Sequence, residues 1–119
     1  MKYAILIYGD EAQLGETPEE AMKAVMDEWW GYEGQLQEAG VKLAGEALQP
    51  TATGKSVRAQ DGKTSVSDGP FAETKEQLGG FYLLECKDLD EAIEWGLKCP
   101  GAKLGTIEVR PIQEFEQPQ

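Results

Sequence analysis

The sequence predicts a single α+β domain in which short strands alternate with two helices and a hairpin is inserted between two of the strands. Apolar runs of strand length alternate with longer segments that repeat every three or four residues. The pair Asp61-Gly62 lies between two short alternating segments, which is a strong hairpin signal. A chain of 119 residues, of which 40% are hydrophobic, is long enough for one domain with a modest core. We expect this domain to span residues 1–113. Residues 114–119 predict a frayed C-terminal tail.

The first strand and the start of the first helix follow each other near the N-terminus. The apolar run Tyr3–Tyr8 predicts a central strand that is buried on both faces. Residues 10–16 are polar and predict a surface loop. Thr17 is placed to cap a helix, Pro18 suits its first position, and Glu20 would complete a capping box.

One face of this first helix carries its apolar residues, at steps of three and four. They are Met22, Val25, Trp29, Tyr32, Leu36 and Ala39. Gly40 is placed to end the helix in a left-handed conformation. Gly31 and Gly34 oppose helix formation, each at a cost of about 1 kcal/mol relative to alanine. Trp30 lies off the apolar stripe, so it either faces a second surface, such as a subunit contact, or lies along the rim of the sheet.

The inserted hairpin has a register that the sequence itself defines. A two-residue turn at Asp61-Gly62 pairs Gln60 with Lys63 and Val57 with Val66. Four side chains then share one face of the ribbon: Val57, Ala59, Thr64 and Val66.

The remaining elements complete a recognisable order. Residues 41–48 and 79–85 predict strands, and Asp88 caps a second helix that Pro100-Gly101 ends. The predicted apolar face of this helix is Leu89, Ala92, Ile93, Gly96 and Leu97. Residues 106–112 predict the last strand. The order is that of a split β-α-β, ferredoxin-like fold with both helices on one face of the sheet.

Composition narrows the classes of function. A net charge of −11 without any histidine argues against nucleic acid and against anionic membrane surfaces as partners. The longest apolar run is far shorter than the roughly 20 residues of a membrane span, and the start of the chain lacks the features of a signal peptide. We therefore expect a cytoplasmic protein. Cys86 and Cys99 predict buried thiols rather than metal ligands or a disulfide, and no metal ion or cofactor is expected.

The polar bend at residues 68–71, before the predicted strand 79–85, has residues that are typical of a functional site. Asp68-Gly69-Pro70-Phe71 carries an acid on a stiff bend, and Gly79-Gly80 lets the backbone approach a neighbour closely. This block resembles the signature of the DGPF branch of the YCII-related family. Further landmarks of the resemblance are Phe81-Tyr82, Asp90-Glu91-Ala92, Cys99-Pro100-Gly101-Ala102 and Gly105 to Pro111. The resemblance implies a homodimer in which two sheets meet face to face as a dimeric α+β barrel.

Asp68 is the candidate general acid or base. In a cleft, desolvation would favour its protonated form, as proton transfer requires. As a turn cap it would instead accept backbone N–H bonds and stay ionised. Members of the family resemble enzymes through a histidine and an aspartate in one pocket, and this sequence has no histidine. Asp68 would therefore have to act with Glu28, a tyrosine or water.

Other residues near the motif could bind a ligand. Arg110 should point away from Val109 and Pro111, where it could bind a carboxylate of a ligand or pair with Asp68 or Glu108. Tyr8 and Tyr82 could line a pocket or pack in the core. The charged residues of the following loop predict either a solvated loop or a lid, and they are Glu73, Lys75 and Glu76.

Three classes of function remain open at this point. One is a small cofactor-free enzyme that performs acid–base chemistry on a small, anionic organic molecule. The second is a non-catalytic module that binds a small ligand or another protein, since members of the DGPF branch resemble proteins associated with alternative sigma factors. The third is a structural homodimer without a cleft. The fold alone does not choose among them.

Overall fold

The computed structural model describes residues 1–70 and 74–117. Its strands are β1 (Lys2–Gly9), β2 (Lys42–Ala47), β3 (Lys55–Gln60), β4 (Lys63–Asp68), β5 (Gln77–Glu85) and β6 (Thr106–Pro111). Its helices are α1 (Glu11–Gly15), α2 (Glu19–Ala39), α3 (Leu89–Lys98) and α4 (Gly101–Leu104), with a 3-10 turn at Thr51–Thr53. Phe71 of the bend motif, Glu73 of the predicted loop and the last two residues of the tail lie outside the described residues.

Four strands form an antiparallel sheet in the order β2-β5-β1-β6. This order confirms the predicted ferredoxin-like arrangement. The register places Ile5, at the centre of β1, opposite Tyr82 of β5 and Val109 of β6. Gly80 confirms the predicted close approach, because a Cβ there would lie 2.8 Å from the carbonyl oxygen of Glu46.

The core lies between one face of this sheet and the helices. Its buried residues are Tyr3, Ile5, Tyr32, Leu36, Leu84, Cys86, Ala92 and Cys99. Tyr32 of α2 meets the Tyr82 ring edge-on at 5.6 Å between centroids, and its hydroxyl donates to the carbonyl of Trp95 at 2.8 Å. These contacts connect α2 to the sheet and to α3, and they confirm that both helices lie on one face.

In the part of the chain that the structure describes, α2, α3 and α4 all pack on the face of Tyr82 and Val109, and none of them packs on the opposite face of the sheet. We call this opposite face the helix-free face, and it includes Ala4, Leu6, Tyr8, Ala44, Glu46, Phe81, Leu83, Thr106, Glu108 and Arg110. The prediction that the first strand is buried on both faces therefore holds on one face only. Leu6, Phe81 and Leu83 of this face are half-buried in the single chain.

The segment between β1 and α2 was predicted wrongly as a loop. Asp10 caps the short helix α1, since its carboxylate accepts from the backbone N–H groups of Ala12 and Gln13. The predicted capping box is also absent, because α2 has Pro18 at its N-cap and no side-chain cap. Thr17 instead donates its hydroxyl to the carbonyl of Gln13 at 3.3 Å.

The predicted helix ends are largely confirmed. Gly40 ends α2 with a φ of 71°, and Asp88 caps α3 by accepting from the N–H of Glu91. Pro100 does end α3, but a short helix, α4, follows it. None of the helices in residues 1–70 and 74–117 combines the length and the apolar character that a membrane crossing needs.

The predicted apolar face of α3 was partly wrong. Ala92 and Gly96 are buried, whereas Leu89, Ile93 and Leu97 are exposed. Small residues allow the helix to approach β6 closely, and a Cβ at Gly96 would lie 2.9 Å from Cγ2 of Val109. Close packing therefore turns the small residues of α3 toward the sheet and leaves its larger apolar residues exposed.

The inserted hairpin forms a separate two-stranded sheet, β3-β4, with the predicted register. Asp61 and Gly62 have φ angles of 53° and 77°, as a type I′ turn requires. Val57 pairs with Val66 across the ribbon. The molecule measures 51 × 48 × 19 Å, so it is broad but only one sheet and one helix layer thick.

A substitution at Gly105 tests the packing between β1 and the start of β6. A Cβ at this position would overlap the carbonyl oxygen of Tyr8. We expect Gly105→Ala to lower the free energy of unfolding by about 1–3 kcal/mol, as overpacking does. The matched control is Gly34→Ala, where nothing lies within 4 Å and helix propensity should raise stability by about 0.5–1 kcal/mol. Urea denaturation measures both, and a Gly105→Ala variant as stable as the wild type would contradict the packing.

Candidate functional site

The structure separates the five predicted site residues into four places. Tyr8 and Arg110 share the helix-free face, next to the edge strand β6. Tyr82 points to the opposite face, toward α2, and Glu28 lies on the outside of α2. Asp68 ends β4 at the base of the hairpin. Only Tyr8 and Arg110 are therefore brought together by the fold of a single chain.

Glu108 links these two residues. Strand alternation places it on the same face as Arg110, as the sequence predicted for the arginine. Arg110 Nε donates to Oε2 of Glu108 at 2.8 Å, and a second guanidinium nitrogen bonds the same oxygen. The Tyr8 hydroxyl lies 3.5 Å from Oε1 of Glu108. The hydrogen bonds and charge of Glu108 raise the pKa of Arg110, so the guanidinium stays protonated.

A further pair of polar residues extends this arrangement. Thr106, two residues before Glu108, donates its hydroxyl to Oε1 of Glu76 at 2.7 Å. We call Tyr8, Thr106, Glu108 and Arg110 the polar row. The sequence predicted Tyr8 and Arg110 as site residues and Glu108 as one possible partner of Arg110, and the structure confirms that pair; Thr106 and the contact between Tyr8 and Glu108 were not predicted. The i, i+2 spacing of Thr106, Glu108 and Arg110 was the available signal.

The chemistry of the polar row is that of an anion site already occupied by a side chain. Arg110 presents a planar fork of N–H donors, and the Glu108 carboxylate uses part of it. Carboxylates bind such forks in a bidentate way, so the carboxylate of a small molecule has the right geometry to bind the same guanidinium. The Tyr8 hydroxyl adds a neutral donor beside it.

Asp68 lies on an open part of the surface. Its side chain is 87% exposed, and its carboxylate pairs with Lys55, the residue opposite it in the ribbon. Gly69 follows with a φ of 73°, and its N–H donates to the carbonyl of Gly54 at 2.7 Å. The bend is therefore held by backbone bonds beside Asp68, while the acid itself pairs with a lysine.

Tyr82 belongs to a half-buried ionic cluster on the helix side of the sheet. Its hydroxyl donates to Oε2 of Glu33 at 2.9 Å, and Glu33 also pairs with Lys42. The Lys42 ammonium lies 5.7 Å from the centre of the Tyr82 ring. Burial raises the pKa of Tyr82, with a smaller contribution from Cys99. These contacts join α2 to β2 and β5, so they indicate a structural role.

Glu28 and the cysteines are also accounted for by structure. Glu28 accepts from Lys103 at 3.0 Å, which connects α2 to α4 on an exposed surface. Both thiols are buried, and burial is the main cause that raises the pKa of Cys86 and of Cys99 to about 11. Such thiols remain protonated near neutral pH and make poor nucleophiles.

Two open grooves lie elsewhere on the surface. One, of about 490 Å³, runs along β2 beside Lys42 and Glu46. The other, of about 550 Å³, lies between α2 and α3 beside Trp95 and Lys98. Neither is lined by Asp68 or by the polar row. Within the residues that the structure describes, Thr106 and Arg110 of the polar row are exposed, and Tyr8 and Glu108 are half-buried.

The two tyrosines give a direct test of these assignments. Tyr82→Phe removes a short bond to half-buried Glu33, and we expect it to lower the free energy of unfolding by about 1–2 kcal/mol. Tyr8→Phe removes only a contact at the limit of hydrogen bonding, and a loss of about 0.5 kcal/mol or less is expected. Denaturant titrations of both variants make the comparison, and an equal or reversed order would refute it.

Comparisons with known proteins agree with this fold. The YCII-related domain matches residues 1–116. An uncharacterised protein of Rhizobium meliloti (strain 1021) is 40% identical over 118 residues, which cover 98% of this chain and 95% of that protein. A match over nearly the whole of both chains shows common ancestry. The chain therefore belongs to the YCII-related family.

Proposed function

We propose that this protein binds a small organic anion at the polar row, on a sheet face that a second copy of the chain closes. The observation that carries the proposal is the Glu108 carboxylate, held between Arg110 and Tyr8 on the helix-free face. An arginine that already binds one carboxylate on an accessible face is suited to bind another. A carboxylate-bearing molecule is the ligand class that this chemistry favours.

The ligand would compete with Glu108 for the guanidinium. Arg110 is largely exposed and Glu108 about one-third exposed, so either can move to admit a ligand. A ligand carboxylate would take both guanidinium donors, and Glu108 would turn toward Tyr8. Exchange of one carboxylate for another keeps the charge of Arg110 balanced, which limits the electrostatic cost of binding.

The helix-free face supports the proposal of a homodimer. Leu6, Phe81 and Leu83 form an apolar area beside the polar row, and a one-sided sheet with such a face is normally covered. The resemblance to the DGPF branch, which we infer from Asp68-Gly69-Pro70-Phe71, implies the same face-to-face pairing. A second sheet over the polar row would exclude water and strengthen its interactions with an anion.

We favour a binding role over proton transfer. The enzyme hypothesis assigns Asp68 as general acid or base, with Glu28 or a tyrosine as its partner. Asp68 is paired with Lys55, and Glu28 is paired with Lys103 on another surface. Neither arrangement supports acid–base chemistry between them. A ligand-binding accessory module, of the regulatory kind that the DGPF resemblance implies, fits these contacts better.

An NMR titration with acetate, succinate and benzoate tests the binding site. We expect millimolar carboxylate to shift the amide signals of residues 106–110 and the Nε–H signal of Arg110. Arg110→Gln should weaken this binding about tenfold or more, because it removes a charge-assisted bidentate contact. Lys103→Gln, which removes a cation on the helix side, should leave the affinity unchanged.

Two results would count against the proposal. One is a set of shifts that cluster away from β6, and the other is an Arg110→Gln variant that binds carboxylates as well as the wild type does. Equal weakening by Lys103→Gln would show that the protein responds to total charge and not to the polar row.

A further inference from the structure

We propose that the β3–β4 hairpin is an arm that lies against a second copy of the chain. The arm is defined as residues 55–68. Its valine face consists of Val57, Ala59, Thr64 and Val66, and this face would contact the other copy. The inference rests on the proposed homodimer and adds a second contact to it, since the arm lies outside the four-stranded sheet.

The first observation is an exposed apolar pair in the middle of the arm. Val57 is 71% exposed and Val66 is 68% exposed, although they lie directly opposite each other. Ala59 and Thr64 form the next pair on the same face. A ribbon designed only for solvent would carry polar residues on both faces, as this one does on the face of Ser65 and Ser67.

The second observation is that hydrogen bonds to the preceding and following loops hold the arm at its base. The Ser56 hydroxyl donates to the carbonyl of Gly69 at 2.6 Å, and the Gly69 N–H donates to the carbonyl of Gly54 at 2.7 Å. Every residue of β4 is exposed. An isolated two-stranded hairpin is marginally stable in water, so contact with another surface would stabilise an arm of this kind.

The third observation is the distribution of charge. The arm contains three basic residues, Lys55, Arg58 and Lys63, and two acidic ones, Asp61 and Asp68, so its net charge is +1. The whole chain has a net charge of −11, so the residues outside the arm have a net charge of −12. A slightly positive arm is attracted to the acidic body of another copy, and this favours a second copy over a basic partner as the occupant.

The arm would then enclose the ligand site from the side. Two sheets that meet face to face leave their rims open, and a ribbon from each copy can cover the rim of the other. Val57 and Val66 would extend the apolar area of Leu6, Phe81 and Leu83. The polar row of one copy would in this way be closed by residues of both copies.

Matched double variants test the arm by sedimentation velocity across a range of concentrations. Val57→Thr with Val66→Thr keeps strand propensity but replaces the apolar pair, and we expect the dimer dissociation constant to rise about tenfold or more. The control, Ser65→Thr with Ser67→Thr, changes the opposite face and should leave dimerisation unchanged. Far-UV circular dichroism shows that each variant is folded.

A cross-linking experiment locates the contact even if a variant folds poorly. The photoreactive residue p-benzoyl-phenylalanine is placed at position 66 or, as the control, at position 65 on the other face. The proposal predicts covalent dimers from position 66 and few or none from position 65. Mass spectrometry should map the link to the rim of the helix-free face of the other copy.

The outcomes separate the arm from the homodimer. A dimer in sedimentation that gives no cross-link from position 66, or equal cross-links from both positions, overturns the arm and leaves the sheet-to-sheet dimer standing. A wild-type chain that sediments as a monomer overturns both. A link from position 66 to a different protein in cell extract, without a link to a second copy, also overturns the arm as proposed.

Discussion

A single constraint organises this molecule: among the described residues, α2, α3 and α4 all pack on the same face of the four-stranded sheet. Tyr3, Ile5 and Leu84 bury that face against Tyr32 and Leu36 of α2. The other face has an apolar area of half-buried side chains beside a row of polar ones. The way in which this face is covered therefore decides both the assembly of the protein and the environment of its candidate site.

Local sequence signals were sufficient for most of the fold. The turn dipeptide Asp61-Gly62 defined the hairpin register, and Gly40 and Asp88 marked helix ends correctly, because each acts through its own backbone or side chain. The errors arose where tertiary packing decides. The orientation of α3 followed the close approach of Gly96 to Val109 rather than the hydrophobicity of Leu97. Sequence periodicity cannot rank those two effects.

The candidate site was predictable only in part. Alternation along the last strand predicted the side on which Arg110 lies, since that depends on neighbouring residues alone. The contact between Tyr8 and Glu108 depends on the pairing of β1 with β6, which joins residues 100 positions apart. The exposure of Asp68 depends on the direction in which the hairpin leaves the sheet, and no local pattern encodes it. Lys55 was not named as its partner, although the predicted hairpin register already places Lys55 opposite Asp68.

The most direct test is whether a second copy of the chain covers the helix-free face. Hydroxyl-radical footprinting at high protein concentration and after dilution measures this. Side-chain oxidation depends on solvent access, so Phe81 and Leu83 should react slowly in the concentrated sample and faster as the dimer dissociates. Leu97, which is 74% exposed on the helix side, should react quickly at both concentrations. Oxidation of Phe81 and Leu83 at one unchanged rate, whatever the concentration, would contradict a face closed by a second copy.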